Sequence, residues 1–271
     1  MTALAQPIHF VANADIRTAY RRAGTGPLLL MVHGAEADHT MFLGLMDALA
    51  KSFSVVAYDQ RDSGQTENSS ADYDIEDLAD DAAQLINVLL KSAGGRSVHV
   101  FGTSFGGLIA QVLAARHPQL VGSLILGSTW PVHRRLNEVN PDALRQLAQL
   151  REQLPGAAAQ MGAFFFSPGF LAARPETVEL FRGSKRSGTQ AARRALMMQA
   201  PPPSIDFSAI SAPTLLLAGS ADVLVPPTET FGIARLIARA HKQELLGLPH
   251  VGAIEDPERV AEAIERFLLQ A

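Results

Sequence analysis

The stretch VHVFGTSFGGLIAQVLAARHP, from Val98 to Pro118, decides the fold. Its first residues, Val98 to Phe101, are an apolar run of the kind that forms a buried strand. The chain then turns through Gly102-Thr103-Ser104-Phe105-Gly106 and continues as a helical pattern rich in Leu, Ile and Ala. A serine on so sharp a strand-to-helix turn cannot hide its hydroxyl, and it sits beside the positive end of the following helix. Gly102 and Gly106 are expected where strand and helix cross too closely for a side chain. The pattern G-x-S-x-G is common by chance in a chain with this much Gly and Ser, so its weight comes from the strand before it and the helix after it.

Outward from this turn, short apolar runs alternate with amphipathic segments. Residues 7–22 predict two strands joined at Asn13-Ala14-Asp15, and Pro27 to Val32 and Phe53 to Tyr58 predict strands buried on both faces. Asp38 reads as the cap of a helix to about Lys51, and Asp74 to Lys91 as a longer helix ended by Gly94-Gly95. Val121 to Gly127 is a further strand. The rhythm then breaks: from Pro131 to Ser208 only amphipathic segments occur, closed by Pro201-Pro202-Pro203. It resumes with a strand at 213–218, a helix at 227–239, a strand at 243–248 and a helix at 257–269. Strands alternating with helices imply a mostly parallel, doubly wound α/β sheet. Residues 1–130 and 209–271 are therefore expected to form the core and residues 131–208 an inserted helical cap.

Composition narrows the function. The 271 residues are 47% hydrophobic and 18% charged, enough apolar material for a sizeable core, and the net charge of −4 argues against a nucleic-acid surface. The absence of cysteine excludes disulfides, thiolate metal sites and cysteine nucleophiles. No apolar run reaches the length that spans a bilayer, and the first residues lack a signal-peptide pattern, so a cytoplasmic protein without membrane contact is expected. No paired ligand spacing predicts a metal, and no G-x-G-x-x-G or G-K-[ST] predicts a nucleotide, so no cofactor is expected. The partner is a small-molecule substrate; a homo-oligomer is left open.

In an open α/β sheet, ligands bind beyond the carboxyl ends of the strands. His33-Gly34, Asp59, Ser104, Ser128-Thr129, Asp222 and His250 all fall there. A serine nucleophile needs a base, and the base needs a third group to hold its tautomer. His250, in Leu248-Pro249-His250-Val251-Gly252, is the best base, and Asp222, in the loop after the preceding strand, the best acid. Asp59 is a rival acid; the end of the strand at 121–127 offers only Ser128, Thr129 and Trp130.

The order Ser104, Asp222, His250 and the elbow resemble the α/β-hydrolase superfamily over essentially the whole chain, in its esterase- and lactonase-like branch with a helical cap. The resemblance implies the α/β-hydrolase fold and a serine hydrolase of carboxylic esters, lactones or thioesters acting through an acyl-enzyme. His33-Gly34 is similar to that family's HG turn, which implies an oxyanion hole from the backbone N–H groups of Ala35 and Phe105. Asp59-Gln60-Arg61-Asp62-Ser63-Gly64 resembles a D-x-R-G-x-G turn, with Asp62 where Gly is usual. Two other activities share the frame: carbon–carbon hydrolysis of the meta-cleavage type, and cofactor-free dioxygenation. The chain lacks the HGxGPG turn of many enzymes of the first kind. Against the second it has Ala35 where those enzymes carry Trp, and Asp222 in place of an acid after the strand at 121–127.

Substrate-facing candidates are Trp130, Met161, Phe164, Phe165, Met197 and Val251, with Phe166, Phe170, Leu171 and Met198 also supplying apolar surface in the cap. Lys185, Arg186, Arg193 and Arg194 are expected on a solvated face. His33 is expected to support the oxyanion turn and His39 to start a helix, while Glu255 and Asp256 open the last helix.

Overall fold

The structure, a computed structural model, describes residues 2–13, 15–69, 72–182 and 186–270. Among the described residues nine strands form one sheet: β1 (Ile8–Asn13), β2 (Ile16–Ala23), β3 (Leu28–Val32), β4 (Ser54–Tyr58), β5 (Glu67–Asn68), β6 (Val98–Thr103), β7 (Val121–Gly127), β8 (Thr214–Gly219) and β9 (Ala240–Leu245). Their order is β1-β2-β4-β3-β6-β7-β8-β9, with β5 on β2. The pairs β1–β2, β2–β4 and β2–β5 are antiparallel and the rest parallel. The β1–β2 turn was expected at Asn13-Ala14-Asp15, of which Ala14 lies outside the described residues.

Eleven α-helices connect or cover these strands among the described residues: α1 (Leu43–Leu49), α2 (Ile75–Ala93), α3 (Phe105–Arg116), α4 (Leu136–Val139), α5 (Pro141–Arg151), α6 (Ala158–Gly162), α7 (Pro168–Ala173), α8 (Gly188–Gln199), α9 (Pro227–Gly232), α10 (Gly252–Glu255) and α11 (Pro257–Leu268). α2 starts at Asp74, whose carboxylate accepts from the Glu76 and Asp77 N–H groups, and ends at Gly94 with φ 73. One core, on one face of the sheet, joins Leu30, Val56 and Leu126 to Leu85 of α2 and Ile109 of α3. The other joins Leu29, Val55 and Ile125 to Leu45 of α1 and Ile264 of α11. The alternation of neighbours along β3, β4 and β7 between these clusters is the period of two expected of strands covered on both sides.

Helices α4 to α8 all fall between β7 and β8, and no described residue of 131–208 is in a strand. Three local expectations needed adjustment. β9 runs from Ala240 to Leu245 rather than 243–248, because its register against β8 begins at Thr214↔Ala240. The helix expected at 227–239 is α9 followed by a 3-10 turn, Ile233–Arg235. The helix expected from Asp38 begins as a 3-10 turn, His39–Phe42, before α1, with Asp38 accepting from Thr40 N–H.

β3 leads to β4 on one side and its other neighbour, β6, leads to β7 on the opposite side, so the connections diverge between β3 and β6. The ends of β3 and β6 are held side by side by the register Val32↔Gly102. This crevice receives the site.

Candidate active site

Ser104 occupies the junction of β6 and α3 at φ 53, ψ −123, a left-handed conformation that costs a non-glycine residue about 1–3 kcal/mol. Its backbone is held by three bonds. Ser104 N–H donates to Gly127 O (2.9 Å), while Ser104 O accepts from Gly107 N–H (2.9 Å) and from the Thr129 hydroxyl (2.7 Å). Thr129 carries no sequence signal for this role beyond its place at the end of β7. A Cβ on Gly106 would collide with the carbonyls of Val32 and His33, as the elbow pattern predicts.

His250 Nε2 lies 3.0 Å from Ser104 Oγ, and its Nδ1 2.8 Å from Asp222 Oδ2. Asp222 spends its other oxygen on the N–H groups of Leu224 (3.0 Å) and Val225 (2.8 Å). It caps no helix; these bonds fix the carboxylate in its loop. With an acceptor-only carboxylate on Nδ1, that nitrogen carries the proton and Nε2 is free to accept from the serine hydroxyl. His250 and Asp222 are both buried, and the edge of the Phe165 ring covers the imidazole at 5.8 Å.

The turn after β3 lies against the serine: a Cβ on Gly34 would be 3.7 Å from Ser104 Cβ. Phe105 is the first residue of α3, so its N–H has no partner inside the helix. Beneath the turn His33 is fully buried. Its Nε2 accepts from Gln60 N–H (3.2 Å), its Nδ1 faces Gly34 O at 2.8 Å, and the Gln60 side chain donates to His33 O (2.7 Å). Burial pushes the His33 imidazole down to about 4, so it is neutral and serves as a strut.

The rival acid, Asp59, is committed elsewhere. One oxygen accepts from His39 N–H and Nδ1–H at 2.7 and 2.8 Å, the other from Gln65 N–H at 2.8 Å. His39 Nε2 accepts from Arg21 Nε (3.0 Å), so His39 is a buried brace at a helix start. Asp38, His39 and Asp59 bring three ligand-type atoms within 4.8 Å of one another, but both His39 nitrogens are already engaged. Asp62, where Gly was usual in the resembling turn, keeps the left-handed backbone at φ 56. Its carboxylate, fully buried, pairs with Arg193.

The arginines correct an expectation. Arg186, Arg193 and Arg194 do not lie on a solvated face; they press inward onto the turns after β3 and β4. Arg186 donates to Asp62 O (2.7 Å), Ala35 O (2.8 Å) and Ser63 Oγ (3.0 Å) and pairs with Glu36 (2.5 Å), while Arg194 is only 3% exposed. Lys185 lies outside the described residues.

Of the substrate-facing candidates, Trp130, Met161 and Met197 are buried in the main core, and Phe164 and Phe165 are half-buried against it. The Trp130 indole N–H donates to Arg134 O (2.9 Å), a core arrangement. Val251 N–H donates to Phe165 O (3.1 Å), and Ser167 N–H to Glu255 (2.9 Å), tying the segment before α7 to the loop that carries His250. Glu255 thus closes α10 instead of opening the last helix, while Asp256 does cap α11, accepting from Arg259 N–H.

A family pattern described as the alpha/beta hydrolase fold matches residues 27–257. The chain belongs to the alpha/beta hydrolase fold family. Within this family it is 28% identical to a thermophilic esterase from Thermogutta terrifontis, solved with malate bound, with a TM-score of 0.79 over 97% of this chain and 98% of that one. It is 29% identical to a 2-hydroxymuconate semialdehyde hydrolase of a Pseudomonas species, over 96% of this chain and 93% of the relative. An uncharacterised protein of Mycobacterium bovis is 37% identical over 123 residues, and there the match covers 45% of this chain and only 35% of the relative. The relatives matched along most of their length support an enzyme of the hydrolase type. Among the described residues no helix is long and apolar enough to cross a membrane.

Proposed function

We propose that the protein is a serine hydrolase that cleaves small carboxylic esters, lactones or thioesters through an acyl-enzyme. The observation that carries this reading is the unbroken chain from Ser104 Oγ to His250 to Asp222, on a serine held in a left-handed turn. Ser104 Oγ attacks the substrate carbonyl carbon as its proton passes to His250 Nε2. Asp222 holds the imidazole in the right tautomer and stabilises the imidazolium. The N–H groups of Ala35 and Phe105 receive the developing oxyanion, each such donor being worth about 2.7–4 kcal/mol of transition-state stabilisation. The imidazolium protonates the departing alcohol or thiol. Water then repeats the sequence on the acyl-enzyme and releases the acid. Residues 131–208 act as a cap over this chemistry, with Phe165 against His250. No step calls for a cofactor.

The test is a fluorophosphonate probe, with the adduct mapped by mass spectrometry. The expected adduct is on Ser104, and Ser104→Ala abolishes both labelling and ester turnover while the protein still melts cooperatively. Full activity in that variant refutes the reading. The near full-length match to a semialdehyde hydrolase favours one second reading, carbon–carbon hydrolysis with His250 as base. Turnover of a vinylogous 1,5-diketone with no turnover of any ester would select it.

A further inference from the structure

Three arginines reach from α8 and the residues before it toward the turns that carry the oxyanion hole, and only two have carboxylates. Arg193 pairs with Asp62 and Arg186 with Glu36. Arg194 is buried between them, and no carboxylate among the described residues forms an ion pair with it. Its guanidinium carbon stands 4.6 Å over the Phe105 ring. Its Nη2 donates to Gln60 Oε1 (2.9 Å) and to Ala35 O (3.3 Å). Its Nε and Nη1 groups make no hydrogen bond of normal geometry, the Tyr73 hydroxyl being the nearby polar group. The guanidinium therefore touches both residues whose N–H groups form the proposed oxyanion hole.

The surroundings repeat the deficit. The hydroxyls of Tyr58 and Tyr73 are buried without a well-formed hydrogen bond, and both feel the charge of Arg194. Tyr73 stands near both Arg194 and Asp62, and both act on its hydroxyl. Four buried side-chain polar atoms without a hydrogen bond of normal geometry thus gather in these three side chains. A buried cation with open donors is costly, and native structures resolve it with a counter-charge. Desolvation is the largest influence on Arg194 and acts against its charged form. Burial also pushes the Tyr58 and Tyr73 hydroxyls up, so they stay neutral and able to donate. The flanking Arg186–Glu36 and Arg193–Asp62 pairs balance themselves, so Arg194 leaves one positive charge to be met by one negative charge; a doubly charged phosphate would leave a second charge buried.

We propose that Arg194 receives a carboxylate of the substrate, so that the enzyme acts on esters or lactones whose acyl part carries a second, ionised acid group. The assignment to the acyl part follows from placement. The leaving group must lie by His250 Nε2, which protonates it, whereas Arg194 touches the oxyanion side, at Ala35 and Phe105. Charge-assisted hydrogen bonds from the guanidinium supply the recognition. This inference rests on the acyl-enzyme reading above.

The test compares monomethyl esters of four- to six-carbon dicarboxylic acids with methyl esters of monoacids of the same length, followed by pH-stat. Wild-type enzyme should favour the acid esters in kcat/KM. Arg194→Met should lower the ratio of acid-ester to neutral-ester kcat/KM by about 10- to 100-fold, largely through KM, and Arg194→Lys should restore part of it. Ser104→Ala protein, with Arg194 intact, should be raised in Tm by monomethyl adipate and not by methyl hexanoate, a readout that stands even if Arg194→Met does not fold. Equal kcat/KM for both ester classes in wild type, or no difference between the two ligands on Ser104→Ala, overturns the Arg194 site and leaves the serine chemistry standing. A preference for a carboxylate on the alcohol part overturns the acyl-side assignment. Selective stabilisation of Ser104→Ala without a fluorophosphonate adduct on wild type would uphold Arg194 and refute Ser104 as nucleophile.

Discussion

Replacing Asp222 by Asn separates the chemistry from the fold. The Asn carbonyl can still accept the Leu224 and Val225 N–H groups that now bond one carboxylate oxygen at 3.0 and 2.8 Å. The amide NH2 then faces His250 Nδ1, which carboxylate oxygen approaches at 2.8 Å. An amide donor there forces Nδ1 to accept, so the imidazole proton moves to Nε2 and points at Ser104 Oγ. The base can then no longer take the serine proton. In the general triad mechanism this exchange costs about 10⁴ in kcat, or about 5.5 kcal/mol of barrier. Stability should change little, because the two backbone bonds survive. Asp222→Ala, by contrast, leaves two buried N–H groups without partners at about 1–3 kcal/mol each. The assay is ester hydrolysis in a pH-stat alongside denaturant unfolding of both variants. Asp222→Asn with less than a tenfold loss of kcat and unchanged stability would refute the role given to Asp222.

His33 makes stability depend on pH. Its folded value lies near 4, below the usual 6.5, so below pH 6.5 the unfolded chain takes up a proton that the folded chain refuses. The stability this group contributes is thus complete above pH 6.5 and lost as pH falls toward 4, by about 3 kcal/mol in total; urea midpoints at pH 7 and 4.5, with His33→Gln reducing the difference, check it. Gly106→Ala should destabilise by about 1–3 kcal/mol or prevent folding, since the new methyl meets the carbonyls of Val32 and His33. Arg193→Met should cost about 3 kcal/mol by leaving the Asp62 carboxylate buried and unpaired, and Asp62→Gly in the same chain should recover much of that, because φ 56 suits glycine. Unfolding curves that show no recovery in the double variant would count against the pairing.

Much of this protein was written locally. The strand–elbow–helix at Val98 to Arg116 needed only an apolar run, two glycines and a helical pattern, all within a few residues. The order of Ser104, Asp222 and His250 was legible because each lies just beyond a strand, and strand ends of a parallel sheet share one edge. The two-residue β5 carries too few side chains to show a period, and it exists only because β2 offers it an edge.

The tertiary structure shows which histidine each of the two acids meets, and it alone places the arginines. Asp59 and Asp222 both follow strands, and only chain order favours Asp222 in sequence; in the fold His39 closes over one and His250 over the other. The arginines before and within α8 carry no local sign of burial, because their partners, Asp62, Ser63 and Ala35, lie more than 120 residues away in the chain. A charged side chain reads as solvent-facing until a distant segment folds over it. In the same way the elbow was visible from five residues, while the guanidinium over Phe105 was not. Backbone periodicity is a local property, and charge pairing is settled only when remote turns meet.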